Sequence, residues 1–98
     1  MFALREYELV MLVSPQVADD QVDGVVQRVT GMITSQGGKV AAVKPWGRRR
    51  LAYHIGDFQE ANYVQTNFSM EPTGAKALVN SLTISEDIIR HLLVKLEA

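Results

Sequence analysis

The spacing of apolar residues switches from a period of two to the period of an α-helix and back again, and this happens twice along the chain. Between residues 4 and 13, apolar side chains occupy every second position from Tyr7 to Val13, which is typical of a strand that buries one side. Residues 18–36 instead carry apolar side chains three and four positions apart, which predicts a helix with one apolar stripe.

Two extended segments follow this helix. Residues 39–55 contain Pro45, which has no N–H to donate to a ladder, so this strand is expected at the edge of a sheet. A turn is predicted at 56–59, and residues 60–70 alternate again. The pattern therefore predicts a long hairpin in the middle of the chain.

A second helical stripe and a last strand complete the pattern. Pro72 suits the first turn of a helix that runs to about Ile84, and residues 88–96 form a strand that is apolar on both sides. The pattern does not assign the inward side of this last strand. The order is βαββαβ, and two right-handed crossovers interleave it into a four-stranded antiparallel sheet of order 4-1-3-2 with both helices on one face. This is a ferredoxin-like α+β fold.

The two faces of such a sheet have different surroundings. The open face would carry Val10, Leu12 and Tyr63 beside arginines, which predicts a binding platform. The residues predicted to form the core under the helices are Tyr7, Leu9, Met11, Val26, Val29, Leu51, Tyr53, Phe68 and Leu78.

Length and composition narrow the class of protein. A chain of 98 residues is expected to form one domain, residues 1–98, with a single two-layer core. It contains 0 Cys, which excludes a disulfide framework, a thiolate metal site and a cysteine nucleophile. The sequence has neither an apolar run of roughly 18–20 residues nor the pattern of a secretory signal, so the expected location is the cytoplasm.

The charges are unevenly distributed, although the net charge is only −1. Between Asp23 and Asp57 there are no acidic residues but six basic ones, which gives this segment a charge of +6 against −7 for the rest of the chain. Such segregation predicts a positive patch on a nearly neutral molecule. The alternative is a charged strand edge that discourages edge-to-edge pairing.

Few residues suggest catalysis or metal binding. His54 and His91 lie far apart on predicted strands, whereas a zinc site needs about three or four converging ligands. Asp19 and Asp23 lie in the first turns of a helix, where the helix dipole favours negative charge. No glycine-rich phosphate loop opens a helix. The expectation is a protein with no metal, no cofactor and no enzymatic activity.

The most informative run is KPWGRRRLAY at 44–53. Arginine presents donor forks that match phosphate oxygens, and nearby aromatic rings can stack on bases, so the run predicts contact with nucleic acid. Because side chains alternate along a strand, at most two of the three consecutive arginines can share a side.

With this run the chain resembles the bacterial small-ribosomal-subunit protein six family over nearly its whole length. The resemblance lies in REYE at 5–8, GRRRLAYHI at 47–55 and IIRHLLVK at 88–95. It implies a ferredoxin-like structural component of the 30S subunit that binds the central domain of 16S ribosomal RNA together with small-subunit protein eighteen. It implies no catalysis and no small-molecule substrate. One departure is Gln65, where some members carry tryptophan.

Two sets of site residues follow from the positive run and this resemblance. The residues expected to contact rRNA are Arg5, Arg48, Arg49, Arg50 and Lys95. The residues expected to contact the protein partner are Glu8, Val10, Leu12 and Tyr63.

Three alternatives share the predicted fold. The main one is a regulatory module that binds a small ligand and pairs sheet to sheet as a homodimer. An RNA-recognition motif would offer several aromatic and basic residues on its third strand, where this chain has Tyr63 nearly alone. An enzyme of acyl transfer or phosphate hydrolysis is the third alternative.

Overall fold

The computed structural model describes residues 4–96, apart from the side chains of Tyr53 and His54, and its elements follow the predicted order. They are β1 (Arg5–Val13), a 3₁₀ turn (Asp19–Gln21), α1 (Val22–Ser35), β2 (Lys39–Ile55), β3 (Phe58–Met70), α2 (Pro72–Ile84) and β4 (Ile88–Leu96).

The four strands form one sheet of order β2-β3-β1-β4 in which every neighbouring pair is antiparallel. This is the order 4-1-3-2 counted from the other edge, so the predicted ferredoxin-like arrangement is confirmed. Strand β2, which contains Pro45, lies at the edge as predicted, because a proline in an inner strand would interrupt a ladder.

Both helices cover the same face of the sheet, and the core lies between the two layers. Strand β1 buries every second residue from Tyr7 to Val13 and β3 does the same from Asn62 to Met70, as their alternation requires. The rings of Tyr7 and Phe68 stack in this layer with centroids 5.6 Å apart. The helices contribute the buried residues Val22, Val25, Val29, Ile33, Ala75, Leu78 and Leu82.

Most of the predicted core is confirmed. Six residues are buried in the main cluster, namely Tyr7, Leu9, Met11, Val29, Phe68 and Leu78. Val26 is only partly buried and packs against the margin of this cluster. Leu51 is buried but lies outside the cluster, and the side chain of Tyr53 lies outside the described residues.

Strand pairing assigns the inward side of β4, which the sequence pattern left open. Leu93 lies opposite Leu9 and packs against the core, whereas Leu92 lies opposite Val10 on the open face and is 60% exposed. Strand β4 therefore has apolar side chains on both sides of the sheet: one set packs against the core, and the other lies on the open face.

The β2–β3 hairpin is longer than the sheet it belongs to. Strand β1 pairs with β3 only as far as Val13 opposite Asn62, so residues 49–61 continue as a two-stranded projection, here called the arm. The molecule accordingly measures 45 × 24 × 23 Å. The turn at its tip is tighter than the predicted 56–59: Phe58 already pairs with Ile55, and Gly56 adopts a positive φ of 58° that glycine accommodates without strain.

Candidate nucleic-acid interface

An irregularity in β2 places its tryptophan on the open face. Pro45 pairs with Val64 and Gly47 pairs with Tyr63, which leaves Trp46 as an extra residue in a bulge. Gly47 supplies the backbone of this bulge with a φ of 85°, a conformation that other residues rarely adopt. The Trp46 ring lies nearly parallel to the ring of Tyr63, at 5.9 Å between centroids and 10° between planes, and Trp46 is 42% exposed.

Cationic side chains surround this aromatic pair. Arg49 lies opposite Ala61, on the same face as Tyr63; its Cζ is 5.9 Å from the centre of the Trp46 ring and its Nε donates to the Trp46 carbonyl at 3.4 Å. Lys44 lies opposite Gln65 on this face as well. We refer to Lys44, Trp46, Arg49 and Tyr63 as the aromatic corner.

Arg48 has a different environment from its neighbour. It lies opposite Asn62, on the side of the sheet that carries the helices, and its side chain is only 29% exposed. It donates hydrogen bonds to Asp19 Oδ1 at 2.8 Å and to Glu60 Oε1 at 2.9 Å. Its charge is therefore already compensated within the protein.

The pKa values around this ion pair shift in the directions that the geometry requires. The hydrogen bond from Arg48, and after it one from Asn62 at 3.2 Å, lower the pKa of Asp19. The bond to Asp19, followed by the bond to Glu60, raises the pKa of Arg48. Asp19, Arg48 and Glu60 thus form a charged cluster at the base of the arm.

The five residues predicted for rRNA do not form one patch. Arg49 faces the open side, whereas Arg48 and Arg50 lie opposite Asn62 and Glu60 on the other side, the alternation expected of consecutive strand residues. Arg5 and Lys95 lie together at the far end of the sheet, opposite Met70 and Tyr7 on the strands next to them. At about 3.3 Å per residue, the length of β1 separates them from the arm by about 25 Å.

The residues predicted for a protein partner do share a face. Val10 and Leu12 point to the open side of β1, with Tyr63 opposite Leu12. Leu92 and Val94 of β4 extend this surface, being 60% and 38% exposed. We refer to Val10, Leu12, Leu92 and Val94 as the apolar half of the open face.

A polar contact lies between Val10 of the apolar half and Lys44 of the aromatic corner. Gln65 Nε2 donates to Glu8 Oε1 at 2.6 Å and to Asn67 Oδ1 at 2.9 Å. Glu8 is therefore half-buried and bound by Gln65, at the boundary between the two surfaces rather than isolated on one of them.

Comparison with known proteins decides the family. The family model described as Ribosomal protein S6 matches residues 6–95. The chain belongs to the ribosomal protein S6 family. Small ribosomal subunit protein bS6 of Heliobacterium modesticaldum is 42% identical over 92 residues, which are 94% of this chain and 96% of that protein. The bS6 protein of Moorella thermoacetica is 38% identical, with 96% of each chain covered.

Solved structures agree with this family. The crystal structure of 30S ribosomal protein S6 from Thermotoga maritima matches with a TM-score of 0.90 and 27% identity, over 96% of this chain and 89% of that one. A chain in the structure of the chemotaxis kinase CheA P2 domain in complex with response regulator CheY, from the same organism, matches with a TM-score of 0.61 but 12% identity, which shows a shared fold alone.

Membership of the S6 family confirms the predicted family and the predicted class of function. The chain is a structural protein of the small (30S) subunit of the cytoplasmic ribosome, in the class of rRNA-binding ribonucleoprotein components that serve translation. Across residues 4–96, no helix is long and apolar enough to cross a membrane.

The sequence prediction of site residues omitted Trp46. Trp46 and Gly47 indicate a bend in the strand, but the sequence alone does not show to which side the bend turns the ring. The sequence feature that could have indicated its role is the pair Pro45 and Gly47. Pro45 cannot pair in an inner strand, and together with Gly47 it marks a bulge that exposes the residue between them.

Proposed function

We propose that this S6-family chain acts as one RNA- and protein-binding domain that binds the central domain of 16S rRNA together with small-subunit protein eighteen, without a catalytic step. The observation that carries the proposal is the division of the open face into a cationic aromatic corner and an apolar half. The first suits phosphates and bases, and the second suits an apolar protein surface.

The proposed rRNA contacts are Arg49 and Arg50 on the arm and Arg5 and Lys95 at the far end of the sheet. All four are exposed, and about 25 Å separates the two pairs, so the rRNA would contact the protein along its length or through two segments. Arg48 is assigned a different role: bonded to Asp19 and Glu60, it anchors the base of the arm that carries Arg49 and Arg50.

The proposed protein contact is the apolar half with Glu8 and Tyr63 at its margin. The net charge of −1 leaves little long-range attraction for RNA, so we expect weak rRNA binding by the chain alone. A partner that covers the apolar half and adds its own cations would complete the binding site.

Titration of a 16S rRNA central-domain fragment tests the proposal. We expect binding at least about tenfold tighter when protein eighteen is present than with the chain alone, a difference of about 1.4 kcal/mol. Equal affinity with and without the partner would refute joint binding. A stable homodimer that binds no rRNA under either condition would refute the whole proposal and favour a regulatory module.

A further inference from the structure

The aromatic corner has the features of a site for one unpaired nucleobase: the Trp46 ring is 42% exposed on the open face, and Lys44 and Arg49 lie beside it on the same face. We infer that an unpaired base of the rRNA stacks against Trp46, with Arg49 and Lys44 holding the adjoining phosphates. This inference rests on the proposed rRNA binding and names the chemical group that this part of the surface recognises.

The backbone conformation of β2 leaves Trp46 exposed on the open face. The bulge between Pro45 and Gly47 interrupts the ladder of the edge strand, which weakens the pairing of β2 and leaves a large apolar ring 42% exposed. The nearly parallel ring of Tyr63 limits the motion of the indole. A ring fixed in this way loses little conformational freedom when a base stacks on it.

The charges around the ring favour a nucleotide over a protein. The titratable side chains that β2 places on this face beside Trp46 are Lys44 and Arg49, both cationic. The arm also carries the carboxylate of Glu60. This carboxylate accepts a hydrogen bond from Arg48 on the opposite side of the sheet. Aromatic rings beside cations are the elements with which proteins hold single-stranded RNA.

Trp46 lies outside the apolar half, and this position also supports its assignment to RNA. Gln65 and its bond to Glu8 lie between the aromatic corner and Val10. Leu12, by contrast, adjoins Tyr63, and Tyr63 stacks on Trp46. Trp46 lies on edge strand β2, beyond Tyr63 as seen from the apolar half, and is 42% exposed. The ring would therefore remain accessible to RNA when a protein packs on Val10, Leu12 and Leu92.

A double-mutant cycle tests the inference in the complex with protein eighteen and the rRNA fragment. Trp46→Ala is expected to weaken rRNA binding about 5- to 150-fold, the range that corresponds to the loss of one stacked base. Abasic substitutions are then made one at a time at the unpaired positions of the fragment. At one position the abasic RNA should bind the wild type as weakly as the intact RNA binds Trp46→Ala, and the two changes together should cause no further loss.

Two variants and one spectroscopic measurement separate stacking from a general structural effect. Trp46→Phe keeps an aromatic face and should retain most of the affinity, whereas Ile84→Ala, which truncates an exposed apolar residue at the end of α2, should show no coupling to the abasic position. Because the chain has a single Trp, its fluorescence should be quenched by intact RNA and not by the abasic RNA, after subtraction of the Trp46→Phe background.

The outcomes are distinguishable. Unchanged rRNA affinity of Trp46→Ala, or affinity lost equally for every abasic position, would overturn the inference while leaving rRNA binding intact. Weaker binding of protein eighteen by Trp46→Ala in the absence of RNA would overturn it in favour of a protein contact. If the wild type binds no rRNA even with the partner, the proposed function fails first.

Discussion

Arg48 and Asp19 are joined by a hydrogen bond of 2.8 Å although 29 positions separate them in the sequence. The bond connects edge strand β2 to the 3₁₀ turn before α1, and the second bond of Arg48, to Glu60, extends the connection to β3. The arm, which has no β1 neighbour beside it, is therefore tied to the body of the protein at its base. A hairpin without such support has little stability of its own in water.

This relationship predicts that the three consecutive arginines respond differently to substitution. Each arginine that contacts a phosphate should lower the salt slope of rRNA binding by about one when changed to alanine. We expect that reduction for Arg49→Ala and Arg50→Ala and no reduction for Arg48→Ala, whose charge is compensated by Asp19 and Glu60. The measurement is log affinity against log salt for the complex with protein eighteen. A slope reduced equally by Arg48→Ala would contradict the prediction.

The same ion pair predicts how stability depends on pH. The pKa of Asp19 is lowered in the folded protein, chiefly by its hydrogen bond from Arg48, so its contribution to stability is fully present above its unfolded pKa of about 3.9. That contribution is lost as the pH falls through the lower, folded value. Asp19→Asn should therefore be less stable than the wild type in urea unfolding at pH 7, and the difference should shrink below about pH 4.

Asp20→Asn is the matched control because Asp20 lies in the same turn, while the bond from Arg48 goes to Asp19. The control should show a smaller change at pH 7. A difference between Asp19→Asn and the wild type that persists unchanged at pH 3 would contradict the prediction.

The fold could be predicted from the sequence because apolar residues recur along the chain with the period of a strand or of a helix. Alternation assigned Tyr7 and Phe68 to the core, and Pro45 assigned β2 to the edge, since both features depend only on local geometry. The site was less predictable for the same reason. Alternation showed that Arg48 and Arg49 face opposite ways, but not that Asp19 would lie beside Arg48, because that contact arises from the packing of a distant turn.

A buried hydroxyl predicts a stabilising substitution. Thr66 is fully buried on the inward side of β3, and its Oγ1 has no hydrogen-bond partner in the described part of the chain. A buried polar group without a partner costs about 1–3 kcal/mol. Thr66→Val keeps the shape and removes the hydroxyl, so it should raise the free energy of unfolding by about 1 kcal/mol in urea titration.

Val64→Thr provides the reverse substitution two positions earlier on the same face, where Val64 is 1% exposed. It should lower the free energy of unfolding by about 1–3 kcal/mol, because it buries a hydroxyl among apolar neighbours. A loss of stability in Thr66→Val would mean that its hydroxyl is bound in solution, for instance by a water molecule.

The apolar half of the open face predicts which exposed leucine matters for assembly. Leu92→Asp places a charge among Val10, Leu12 and Val94, so it should weaken binding of protein eighteen by at least about tenfold, or about 1.4 kcal/mol. Ile84→Asp is the matched control, because Ile84 is 82% exposed at the end of α2, in the layer on the other side of the sheet. Calorimetric titration of both variants should give a loss for Leu92→Asp alone. Equal losses for the two variants, or no loss for Leu92→Asp, would show that the apolar half of the open face is not the contact with protein eighteen.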